Sequence, residues 1–174
     1  MTQTIRTLLM LKGLPASGKS TFAKEWILKH KNAWKRINKD DLRAMIDAGE
    51  WSKDCEKQIL DVRDHLINYF MELGKNIVLD DTNLNPRHEE TFKAMVQSHN
   101  EKEESIYRYR FEAKLFDIPL KECIERDLKR PNSVGERKIK EMYNHFLRDA
   151  IPLTVLQQDV QLPHVVLCDI DGTL

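Results

Sequence analysis

Gly13-Leu14-Pro15-Ala16-Ser17-Gly18-Lys19-Ser20 is the stretch on which the fold of this chain turns. It matches GxxxxGK[ST] at every required position. Gly13 and Gly18 let the backbone turn tightly, so that its N–H groups point inward around Ser17. Such a loop needs a buried strand before it and a helix after it. Arg6–Lys12 (RTLLMLK) is a short apolar run that reads as the strand. Lys19–Lys31 carries Phe22, Ala23, Trp26 and Ile27 at helical spacing. Inward donors and a helix N-terminus together form an anion site. Lys19 is expected to reach the β- and γ-phosphates of ATP, and the Ser20 hydroxyl to hold Mg²⁺. A chance glycine-rich turn would leave the register of strand, loop and helix unexplained. Thr21 either assists the loop or is plain helix surface.

Outward from the loop, strands and helices alternate. Trp34–Ile37 is a strand, Asp40–Ala48 a short helix with an acidic start, and Ser52–Leu73 a long helix stopped by Gly74. Asn76–Leu79 (NIVL) is a strand followed by a polar turn, and Pro86 opens a helix to about Ser98. Ser105–Asp117 reads as a long strand, Pro119 to about Lys129 as a helix, Pro131–Gly135 as a break and Glu136–Ala150 as a last helix. This alternation predicts an α/β three-layer sandwich with a central parallel sheet and helices on both faces. His164–Cys168 (HVVLC) reads as a further strand, followed by Asp169-Ile170-Asp171-Gly172-Thr173.

The 174 residues suffice for one core, and 28 basic side chains balance 28 acidic ones. Bulk charge therefore gives no attraction to nucleic acid or membrane, and any polyanion site has to be a local patch. No apolar run approaches the roughly 20 residues of a membrane span, and Met1–Arg6 has no signal-peptide pattern. Cys55, Cys123 and Cys168 are odd in number and far apart, as expected for inert thiols in a reducing cytoplasm.

Two polar clusters should join the loop at the carboxyl edge of the sheet, and a third, basic one ends a helix. In Asn38-Lys39-Asp40-Asp41-Leu42-Arg43, Asp40 is placed to take a proton from an attacking hydroxyl, and Arg43, one turn on, to hold an acceptor phosphate. Asp40 as a helix cap and Arg43 as a solvated side chain fit the segment equally well. Asp80-Asp81-Thr82-Asn83-Leu84-Asn85-Pro86 offers either a carboxylate for water-mediated Mg²⁺ binding or an ordinary turn. Arg126, Lys129 and Arg130 before a break suit a lid over phosphates, although the helix dipole favours cations there in any case. Arg137 and Lys138 open the last helix, where a phosphate would offset the unfavourable dipole.

Together GLPASGKST, INKDDLR, LDDTNLNP, the strand ending Phe116-Asp117-Ile118-Pro119 and the basic lid resemble the phage-type 5′-hydroxyl polynucleotide kinases across residues 6 to 150. The resemblance implies ATP and Mg²⁺ at Lys19 and Ser20, a general base at Asp40, and Arg43 on the acceptor's 3′-phosphate. It also implies Arg130 and Arg126 as lid arginines on the donor phosphates. Asp81 and Asn83 of the DTN segment fall on the acceptor side. The implied partners are 5′-hydroxyl ends of DNA or RNA, which an enzyme that touches only a strand end can hold through few phosphates. Asp169 and Asp171 resemble the nucleophile motif of haloacid-dehalogenase phosphatases. The expected division is therefore a kinase domain over 1–160 and, over 161–174, the start of a phosphatase domain too short to act. A small-molecule kinase acting on a nucleoside, sugar or antibiotic, and an ATP-sensing module without turnover, are the competing readings. The oligomeric state is left open, a homo-oligomer included.

Overall fold

The computed structural model describes residues 4–148. The reading of residues 149–174 as a further strand and phosphatase motif lies outside them, as does the domain boundary at 160.

Ten elements follow in the order β1 (Thr4–Lys12), α1 (Lys19–Lys29), β2 (Trp34–Ile37), α2 (Lys39–Ile46), α3 (Lys53–Glu72), β3 (Asn76–Leu79), α4 (Pro86–Glu101), β4 (Tyr107–Leu115), α5 (Leu120–Leu128) and α6 (Glu136–Phe146). The four strands form one parallel sheet in the order β2-β3-β1-β4. Local chemistry sets the ends. The side chains of Asn38, Ser52 and Asn85 accept backbone N–H groups of Asp41, Cys55 and Arg87 and so begin α2, α3 and α4. Gly74 ends the α3 turn with φ +62°, and a Cβ there would lie 2.4 Å from the Tyr107 ring.

Strand alternation distributes the core. Leu8, Met10, Ile77 and Leu79 face Ile59, Ile67 and Met71 of α3 and Phe92 and Val96 of α4. Leu9, Leu11 and Val78 face the opposite way, onto Ala23, Phe22 and Ile27 of α1. The result is the expected sandwich of helix, sheet and helix. A third cluster lies outside the layers, where Leu14 of the loop and Leu84 pack with Cys123 of α5 and Ile139 of α6. It anchors the α5–α6 hairpin directly beside the glycine-rich loop.

Candidate active site

β1 delivers the loop to the carboxyl edge of the sheet, and the backbone N–H of Gly13 donates to the Thr82 carbonyl at 3.0 Å to tie it to the turn after β3. Gly13 admits no side chain, since a Cβ would meet Ser17 Oγ at 2.9 Å and the Phe116 carbonyl at 3.0 Å. Lys19 is only 6 % exposed. Its Nζ donates to the carbonyls of Leu14 at 2.7 Å and Gly13 at 3.0 Å and to Ser17 Oγ at 3.2 Å. Burial lowers its pKa to about 8, against the partly compensating charge of Asp80. A cavity of about 340 Å³ opens over this loop, lined by Ser17, Gly18, Lys19, Ser20, Thr21, Arg126 and Arg130, together with Ala16. Every residue expected to bind the donor phosphates thus lines one cavity except Gly13, which shapes it from behind.

The lowered pKa has a measurable consequence. Between about pH 8 and the ordinary lysine value of 10.5, the empty site holds a neutral amine. A bound polyphosphate favours the charged form, so binding must then take up a proton. ATP affinity is expected to fall as pH rises above about 8. Calorimetry in buffers of different ionisation enthalpy should detect proton uptake that grows with pH, and Lys19→Ala should abolish it.

Asp80 directly follows β3 and is fully buried. Its Oδ1 accepts from Ser20 Oγ at 3.1 Å, and its Oδ2 accepts Nε and Nη2 of Arg36 at 2.7 and 2.6 Å. Burial raises the Asp80 pKa, with the Arg36 pair acting in the opposite direction. Among the described residues no cluster of three or more His, Cys, Asp or Glu side chains could hold a metal. The hydroxyl of Ser20 beside one carboxylate is nevertheless an all-oxygen donor set of the kind Mg²⁺ uses when phosphates complete its shell.

On the acceptor side, Asn38 caps α2, so Asp40 does not. Asp81 assists by accepting the Lys39 N–H at 3.0 Å, and burial raises its pKa. Asp40 is left free of the helix end, with its side chain 83 % exposed and its Oδ1 accepting from Arg43 Nη1 at 2.7 Å. Arg43 is not solvated. Its Nη2 donates to Glu56 of α3 at 2.6 Å, and Lys39 Nζ reaches the other Glu56 oxygen at 3.1 Å. A second cleft of about 270 Å³ runs between α2 and the loop. Asp40, Lys39 and Asp81 line one side of it, and Lys19, Ser20 and Arg130 the other. The two cavities therefore share Ala16, Lys19, Ser20 and Arg130, the last three with polar side chains.

The segment between α5 and α6, expected to act as a lid, is held by Asp127, which is 1 % exposed. Its carboxylate accepts Ser133 Oγ at 2.7 Å and the N–H groups of Val134 and Gly135 at 3.0 and 3.1 Å, which orders the 131–135 break and starts α6. Asp127→Ala would leave these donors unpaired and is expected to cost about 2 kcal/mol of stability. Thermal unfolding should report that cost, and a raised KM for ATP the loosened lid. Of the basic residues expected in the lid, Arg126 and Arg130 line the donor cavity, whereas Lys129 lines neither cavity. Arg137 and Lys138 instead pair with Glu141.

Asn83 differs from its expected place on the acceptor side. It is 1 % exposed, adopts φ +45° and donates its amide to the Leu11 carbonyl at 2.9 Å. That fixes the turn after β3 and turns the side chain away from the cleft. Glu56 and Arg36 had no local signal in the sequence, because each acts on a partner brought near by the fold, whereas the partners of Asp127 follow within eight residues and the tie was simply missed. Asp80 did have one, as the first carboxylate after a strand.

A family profile described as "AAA domain" matches residues 8–148. A putative bifunctional polynucleotide kinase/RNA ligase of Autographa californica nuclear polyhedrosis virus is 31 % identical over 185 residues, covering 97 % of this chain and 25 % of that protein. A chain of the Pnkp1/Rnl/Hen1 RNA repair complex aligns with TM-score 0.65 at 29 % identity, over 83 % of this chain and 45 % of its own. A second structure of a Pnkp1/Rnl/Hen1 complex gives TM-score 0.56 at 30 % identity, over 72 % and 40 %. The APS kinase CysC of Mycobacterium tuberculosis, solved with AMPPNP and APS, shares the fold with TM-score 0.51 at 20 % identity, over 72 % and 71 %. The chain thus spans about a quarter of the curated relative and under half of the repair-complex chains.

Proposed function

The chain belongs to the AAA domain family, and from that premise we propose that it transfers the γ-phosphate of ATP to the 5′-hydroxyl end of DNA or RNA. The observation that carries this reading is the shared wall of Lys19, Ser20 and Arg130 between a phosphate cavity and a cleft edged by Asp40. A γ-phosphate at that wall faces an alcohol at Asp40. Asp40 takes the hydroxyl proton, the hydroxyl oxygen bonds to phosphorus, and the bond from phosphorus to the bridging oxygen breaks to release ADP. Lys19 and Arg130 balance the charge that spreads over the transferred group. Arg43 holds the acceptor's 3′-phosphate, and Asp81 and Asn38 fix the helix that carries Asp40. Mg²⁺ on Ser20 and the phosphates would supply further charge neutralisation. The kinase/ligase relative and the repair-complex chains support nucleic acid as the acceptor.

End healing in nucleic-acid repair and a phosphatase domain beyond residue 160 belong to the same reading. So does a reducing cytoplasm, which suits the free thiols of Cys55 and Cys123. Among the described residues no helix is long and apolar enough to cross a membrane.

Labelled ATP with a 5′-hydroxyl oligonucleotide tests the proposal. Label on the oligonucleotide's 5′ end is the expected result. Transfer to small alcohols alone would replace this reading with a small-molecule kinase, and binding without transfer would remove the enzyme.

A further inference from the structure

α2 carries a stripe that runs beyond its two charged residues. Asp40 and Arg43, and Arg43 and Ile46, are each three apart and so neighbours in succession, along a line that winds about 120° around the helix. Six residues advance about 9 Å along the axis, so the stripe reads carboxylate, guanidinium, apolar over that length. Ile46 is 43 % exposed although it follows the buried Leu42 by one turn. The chain then reverses at once through Ala48 and Gly49, with φ +52° and +88°. This turn is tied back to the stripe, because Asp47 and Gly49 both donate to the Arg43 carbonyl, at 2.9 and 3.1 Å. Trp51 follows two residues later, at most roughly 7 Å of chain from Gly49.

The same tryptophan is fixed from its other side. Ser52 caps α3, and the Ser52 carbonyl accepts the N–H of Glu56, whose side chain holds Arg43 at 2.6 Å. Trp51 is therefore bracketed between two attachments to one arginine. It is nonetheless 64 % exposed and makes none of the aromatic contacts that occupy Trp26 and Trp34. An indole left in water on a short, doubly anchored turn is a costly use of apolar surface, and it leaves a rigid flat face available.

We infer that Trp51 is the platform on which the second base of the acceptor strand stacks, with Ile46 as its neighbour. This rests on the proposed reading of Asp40 and Arg43 as the sites of the terminal hydroxyl and the first 3′-phosphate. The strand then runs along α2, and the nucleotide after that phosphate reaches the turn. Stacking needs no particular base, so the residue confers preference for chain length rather than for sequence. It also adds affinity without adding charge, as a chain of zero net charge requires.

The test compares two acceptors on the full chain, a nucleoside 3′-monophosphate and a 5′-hydroxyl oligonucleotide. Trp51→Ala is expected to raise the oligonucleotide KM by roughly 5- to 100-fold, with kcat and both constants for the monophosphate unchanged. Trp51→Phe should restore most of the loss. Equal KM values for parent and Trp51→Ala on the oligonucleotide would overturn the inference, and the kinase reading would stand. Equal impairment on both acceptors would also overturn it, in favour of a supporting role for α2. A change of oligomeric state with KM intact would assign the face to a second copy instead. If the parent phosphorylates neither acceptor, the kinase reading fails and takes this inference with it.

Discussion

Lys19→Ala should reduce kcat by roughly 10³-fold or more while the protein remains folded. The ammonium is the one cation buried at the junction of the two cavities, so no neighbour replaces it as charge develops on the transferred group. Arg130 shares that wall but is half exposed, with its Nη1 3.5 Å from Asp127. Lys19 is bound to its own loop, through two carbonyls and Ser17 Oγ. Alanine would leave those acceptors to water entering the cavity, at a cost of about 1–3 kcal/mol. Single-turnover kinetics alongside thermal unfolding separates the two effects. A variant that retains parental turnover would show that the loop does not serve transfer.

The second large effect is expected at Asp40. Asp40→Asn keeps the shape and the Arg43 contact but cannot accept a proton. It should lower kcat by roughly 10²- to 10⁴-fold, with ATP binding unchanged. The unchanged affinity follows from the geometry, since Asp40 lines the acceptor cleft but not the donor cavity. Weaker ATP binding in this variant would mean that the carboxylate organises the loop. Normal turnover would leave an ATP-binding module without transfer chemistry.

The parts legible in the sequence are those set by neighbours along the chain. Helix spacing, the Gly74 stop and the octapeptide from Gly13 to Ser20 are local features, and the elements built on them fall close to their predicted ends. β4 is shorter than its sequence pattern, starting at Tyr107 rather than Ser105, because Ser105 Oγ turns back to the Tyr107 carbonyl at 2.9 Å. The bringing together of Lys19 and Asp40 followed from placing their segments at the carboxyl ends of strands, and that of Arg130 from reading its segment as a lid, whereas the strand order came from the structure alone. Illegible were choices between near-equivalent side chains. Asn38 and Asp40 are both good caps two residues apart, and only the path of the backbone at the end of β2 selects the asparagine. A motif likewise names Asn83 without saying where its amide points, and a left-handed turn sends it to Leu11. Ties across long separations, such as Arg43 to Glu56, leave no periodic trace at all.

The buried contact between Arg36 and Asp80 constrains how this sequence can drift. Losing Asp80 leaves Arg36 its pair with Asp41, whereas losing Arg36 strands the buried Asp80 carboxylate away from water, at about 3–5 kcal/mol. That is a large fraction of the roughly 5–15 kcal/mol by which a typical domain is stable. Substitution at position 36 alone is therefore the costly step, and viable descendants first pass through an uncharged residue at position 80. Because Asp80 also receives the Ser20 hydroxyl and lines the second cleft, such an exchange would alter the loop end of the molecule, so Arg36, which lines neither cavity, helps to hold that end in place across generations.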